Sequence, residues 1–123
     1  MPEELLRDPE HPAYTEICRM WISDVKTLRE DNASMIHRLA TALKESARRS
    51  FIEEAEEFQL AMLEREDLLV LLRHEIKEQL EWLEKQPAGI PAPYSYARLK
   101  TAIEQMIREY DHLKSSFLQF IAS

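Results

Sequence analysis

The sequence predicts an all-α fold: an elongated, coiled-coil-like antiparallel three-helix bundle with up-down-up topology. Three observations carry that expectation. From Ala13 to Gln86 there is neither Gly nor Pro, and strong helix formers dominate. The single glycine, Gly89, and three of the six prolines are gathered in the segment Gln86-Pro-Ala-Gly-Ile-Pro-Ala-Pro. Within the helical stretches, apolar residues recur at alternating spacings of three and four, the period of a helix that buries one face.

Residues 1–11 read as an acidic, proline-punctuated arm, and the first helix as 12–48. Its seam runs through Cys18, Val25, Asn32, Leu39 and Ser46, alternating with Tyr14, Trp21, Leu28, Met35 and Ala42. Thr15, Ile22, Ile36 and Leu43 widen it. Carried onward, the same frame would bring Arg49, Glu53 and Glu56 onto the seam. A frame moved by two residues instead collects Phe51, Ala55, Phe58, Met62, Leu69, Leu72, Ile76 and Leu83. The chain should therefore turn at residues 47–50. Arg48 and Arg49 would close the first helix, and Ser50-x-x-Glu53 would act as a capping box opening the second, 50–86. The competing reading is one continuous helix of about 110 Å that hides its seam by dimerising.

Residues 87–94 form the proline-rich loop, and the third helix covers 95–121. Tyr96, Leu99, Ile103, Met106, Tyr110, Leu113, Phe117 and Phe120 keep the heptad spacing with no polar intruder. Short connections between long helices favour antiparallel neighbours, hence one domain of three helices.

Composition excludes several function classes. Sixteen basic against 23 acidic residues, a net charge of −7 and no Lys/Arg cluster beyond Arg48 and Arg49 argue against nucleic-acid binding. The longest apolar run, Leu68 to Leu72, is far below the ~18 residues of a membrane span. One glycine cannot build a phosphate-cradling loop, which needs several residues without a Cβ. A lone cysteine, Cys18, allows no internal disulfide, and together with an N-terminus unlike a secretory signal it leads to a cytoplasmic expectation.

No catalytic or cofactor motif emerges. Cys18 lies on a seam, where a thiol behaves as a small hydrophobe. His37 and His74 fall opposite their seams and His112 lies two residues past Tyr110, so the histidines do not converge. Of the Glu-x-x-His elements that a di-iron bundle requires, only Glu109-x-x-His112 is present.

The polar seam positions are Asn32, Arg65 and Gln79. An antiparallel hairpin would set Asn32 level with the Arg65 region and Trp21 level with Gln79, whose carboxamide would reach the indole N–H or solvent. A polar layer of this kind selects register and partners at some cost in stability. The alternative use of Asn32 and Arg65 is a small-ligand or anion site inside the bundle.

The second helix holds 11 acidic and four basic residues, whereas the first and third are each near +1, so it offers an acidic surface. It also carries an apolar surplus, Leu60, Leu63, Val70 and Leu71, on or near the face away from its seam. A central helix could bury such a face between two neighbours, the arm with Leu5 and Leu6 could cover it, or another chain could dock there. Function itself is not legible from motifs. The reading that accounts for the surplus is a non-enzymatic helical-bundle interaction or scaffold module, without cofactor, that forms a homodimer through the second helix. Two alternatives stand beside it: a metal- or small-ligand-binding bundle, or enzyme, with its site in the core or at a dimer contact, and a small acidic chaperone or adaptor holding a partner's amphipathic helix.

Overall fold

The structure, a computed structural model, describes residues 12–123. It is a three-helix bundle: α1 spans Pro12–Glu45, α2 Arg49–Lys85 and α3 Tyr96–Ala122, and no strand occurs among the described residues. The expected arm lies outside the described residues. Cross-helix pairs establish the up-down-up course. Arg29 meets Glu66 and Asn32 meets Met62 between α1 and α2, and Arg65 meets Glu109 between α2 and α3. Tyr14 meets Tyr96 and Asp31 meets Tyr110 in the parallel α1–α3 pair.

The break between the first two helices falls where the seam changes frame, but its chemistry differs from the expected capping box. α1 ends at Glu45 rather than 48, and residues 46–48 form the connection. Arg48 is the N-cap of α2, in extended conformation (φ −77°, ψ 124°) and without a side-chain cap, so Ser50 already lies inside the first turn. Glu53 reaches Arg49 (3.0 Å) instead of turning back toward a cap. The Ser46 hydroxyl accepts from the Arg48 N–H (3.3 Å), and the Arg48 guanidinium lies 5.9 Å from the centre of the Phe51 ring. The N-cap thus lies two residues before the expected Ser50, and α2 begins at Arg49.

At the far end the Gln86–Ser95 connection is tied down by a series of hydrogen bonds. Gln86 takes the left-handed C-cap conformation (φ 41°), and its N–H donates to the Trp82 carbonyl (2.7 Å). Gly89, at φ 75°, occupies the turn closed by the Ile90 N–H and Pro87 carbonyl, a position where a side chain would be strained. The Trp82 indole N–H donates to the Ile90 carbonyl (2.8 Å). The Ser95 hydroxyl accepts from the Arg98 N–H (3.1 Å) and caps α3.

The core consists of two apolar clusters. One, at the loop end, gathers Tyr14, Cys18, Trp21, Ile76, Tyr96 and Leu99 among others, with Trp21 stacked on Tyr96 at 5.6 Å. The other joins Met35, Leu39, Ala55, Met62, Tyr110, Phe117 and Phe120. Polar ties lie where the clusters meet. Asn32 Nδ2 donates to the Met62 carbonyl (2.9 Å) and Arg29 pairs with Glu66 (2.7 Å). Arg65 pairs with Glu109 (3.0 Å), and Asp31 accepts from the Tyr110 hydroxyl (2.5 Å) while holding Lys114 (3.0 Å). Each pair of helices is thus joined at one height, so a register slip in any of them breaks at least one charged or buried polar contact.

Candidate functional site

Helix α2 has two opposed apolar faces. Met62, Leu69, Leu72 and Ile76 are buried against α1 and α3. At about 100° per residue, Leu60, Leu63, Val70 and Leu71 fall within an arc of roughly 100° on the other side. They lie open to solvent: Leu60 is 69% exposed, Leu71 53%, Leu63 48% and Val70 45%. The expectation that a central helix would bury this face between its neighbours does not hold, because α1 and α3 both contact the opposite side of α2. Leu68, 37% exposed, extends the patch toward α3. Asp67 interrupts it, and His74 borders it with Nε2 2.8 Å from Glu78. Single exposed leucines are ordinary, whereas here two exposed aliphatic pairs, Leu60 with Leu63 and Val70 with Leu71, share one face of one helix on either side of Asp67.

The polar seam residues are placed apart. Asn32 is fully buried, and its amide reaches Met62, nearly one turn before Arg65. Arg65 turns to the other neighbour, where one Nη donates to Glu109 (3.0 Å) and approaches Met106 Sδ (3.4 Å). An Asn32–Arg65 ligand site is therefore not assembled. Gln79 is also fully buried, but it does not serve Trp21: its Oε1 accepts from the Tyr94 N–H (3.0 Å), linking α2 to the loop before α3. The heptad frame located both carboxamides on the seam, yet it carries no information about the loop backbone that takes up Gln79.

Asp31 is the polar residue that periodicity overlooked, because it lies beside the seam rather than on it. The signal available was Tyr110, a seam phenol whose hydroxyl needs an acceptor once buried. The Tyr110 hydrogen bond, assisted by Lys114, holds the Asp31 carboxyl below the usual carboxylate range. Burial, and then the Asp31 contact, push the Tyr110 phenol upward.

Glu109 bonds Gln105 (2.9 Å) and Arg65, and these two donors hold its carboxyl below the ordinary range. With His112 it borders a groove of about 580 Å³ between α2 and α3, floored by Phe58, Ala61 and Leu113. Among the described residues no group of three or more His, Cys, Asp or Glu gathers as a metal set, and no helix is long and apolar enough to cross a membrane. Cys18 is fully buried, which pushes its thiol up to about 12 and keeps it protonated near neutrality. Comparison with protein-family models, curated proteins and solved structures gives no match.

Proposed function

We propose that the chain is a non-enzymatic helical-bundle interaction module that joins to a second copy of itself through the outer face of α2. One observation carries this reading: Leu60, Leu63, Val70 and Leu71 form a solvent-facing apolar stripe opposite the core. Three helices already close the core, so the stripe has no partner within the described bundle. Hiding it from water is the available gain, at about 25 cal/mol per Å² of apolar surface before the entropic costs of association. The acidic flanks of α2 then remain as the surface offered to other proteins.

The adaptor alternative draws on the groove between α2 and α3, where Phe58, Ala61 and Leu113 would take the apolar face of a partner helix. A metal- or small-ligand site draws less support, because Asn32 and Arg65 are committed to different neighbours and Glu109 to Arg65 and Gln105.

Solution mass by size-exclusion chromatography with light scattering separates these readings. Wild type is expected to run as a dimer, and Val70→Asp combined with Leu71→Asp as a helical monomer, because two charges would have to be desolvated in each copy. A monomeric wild type at high micromolar concentration contradicts self-association and leaves the groove as the remaining surface for a partner. A variant that stays dimeric removes the outer face of α2 from the contact.

A further inference from the structure

We infer that the groove between α2 and α3 holds an amphipathic helix of a partner protein, whose basic end lies beside Glu54 and Glu57 and whose acidic end lies beside Arg108. This surface is separate from the outer stripe of α2 and needs no self-association.

Charge along this groove of about 580 Å³ is ordered. Phe58, Ala61 and Leu113 line its floor. Arg65 and Glu109 also line it, but they answer each other at 3.0 Å and leave little net charge. Glu54, Glu57 and Arg108 are exposed, line the same groove and make no hydrogen bond or ion pair among the described residues. Arg65 faces Glu109 and Phe58 faces Phe117, so the heights of α2 and α3 are fixed against each other. Arg108 then stands level with residue 66, about nine residues from Glu57 and about twelve from Glu54, which is roughly 14–18 Å of helix. The two carboxylates thus gather at the end near the α1–α2 turn and the guanidinium at the other end, with the apolar floor between them.

The walls select a helix as the occupant. Both are helices whose backbone groups bond within themselves, so neither offers an edge to an extended peptide. Such a peptide would leave its own N–H and C=O groups unpaired against the apolar floor. A helix brings its backbone bonds with it and lays apolar side chains three and four apart onto Phe58, Ala61 and Leu113, as a fourth column beside three. About three turns of it span the distance between the charged ends. Exposed ion pairs are individually weak, so the floor supplies affinity and the rim charges choose the partner. A helix with like charge at both ends meets repulsion at one of them, and reversing its direction brings no relief.

Fluorescence anisotropy on the full chain tests this with three labelled helical peptides of about 15 residues. They share leucines at three-four spacing and differ only at their ends: lysines at one end and glutamates at the other, glutamates at both, or lysines at both. The mixed peptide is expected to bind about five- to tenfold tighter than either of the others. Glu54→Lys combined with Glu57→Lys, at exposed positions without partners among the described residues, is expected to turn the preference to the peptide with glutamates at both ends. Arg108→Glu is expected to turn it to the peptide with lysines at both. Amide chemical shifts on adding the mixed peptide to wild type are expected at Phe58, Ala61, Leu113 and Ser116. Equal affinity for the three peptides, a preference that the variants leave unmoved, or no binding up to millimolar peptide overturns the inference. Peptide-induced shifts confined to the outer stripe of α2 also overturn it. Shifts along the groove on concentrating the protein alone make a second copy its occupant, and overturn both this inference and the dimer through the stripe.

Discussion

Replacing Phe117 by Ala is expected to lower unfolding stability by about 3–5 kcal/mol, the cost of emptying a large, well-packed aromatic site. Phe117 is fully buried, with its ring edge-on to Phe58 at 5.7 Å. Phe58 in turn stacks on Phe120 (5.1 Å), and Phe120 on Phe51 (4.8 Å), so these rings close the end of the bundle beside the α1–α2 turn. That turn contains no Gly and its N-cap, Arg48, makes no side-chain cap bond, and the rings pack beside it. The neighbouring Leu118, 38% exposed, supplies the control: Leu118→Ala should cost about 1 kcal/mol or less. Urea unfolding measures both. A loss below about 1 kcal/mol for Phe117→Ala would mean that the described packing at this end is wrong.

Stability is also expected to collapse at alkaline pH. Burial pushes the Cys18 thiol up to about 12, and it pushes the Tyr14 and Tyr110 phenols above their ordinary range. In the unfolded chain these groups titrate near about 8.5 for the thiol and about 10 for the phenols. Above those values the unfolded chain gives up protons that the folded bundle keeps, so the folded state binds more protons and stability falls as pH rises. Their contribution is complete below about pH 8 and is lost as pH climbs through the raised folded values. Each group that differs adds a slope of about 1.4 kcal/mol per pH unit, so three together approach about 4 kcal/mol per unit. Against a typical total of about 5–15 kcal/mol, that slope unfolds the protein within one to a few units above pH 10. Circular dichroism and tyrosinate absorbance should change together. Tyr14→Phe, which deletes a buried hydroxyl with no hydrogen-bond partner among the described residues, should flatten the slope by one group. Stability that is level from about pH 8 to 11 would contradict the burial assigned to all three groups.

How far the sequence reveals this molecule depends on which physical signal each feature leaves. Burial leaves a period. The α3 seam from Tyr96 to Phe120 is buried nearly as its heptads indicate, and the change of frame near residue 49 marks the break between α1 and α2. Caps and cross-helix ties leave a weaker signal, because they depend on backbone that another element supplies. Ser50-x-x-Glu53 matched a capping pattern, yet the helix starts at Arg49 after an extended Arg48, and Glu53 pairs with Arg49 rather than with a cap. Gln79 was recognisable as a polar seam residue, but its partner is the Tyr94 N–H, which only the folded loop brings within reach. Arg65 has two neighbours to choose between, and Glu109 on α3 decides the matter. The outer stripe of α2 was legible as a surplus. Its exposure was not, because that depends on where α1 and α3 pack around α2.

Self-association through that stripe is the central claim. Backbone amide chemical shifts recorded over a range of protein concentrations test it most directly, since the 14.5 kDa chain is accessible to such measurements and each residue reports separately. The account predicts concentration-dependent shifts concentrated between Glu56 and His74 on the outer face of α2, with the outer faces of α1 and α3 unchanged. Shifts that are absent up to millimolar concentration, or that gather instead along the groove between α2 and α3, would contradict it.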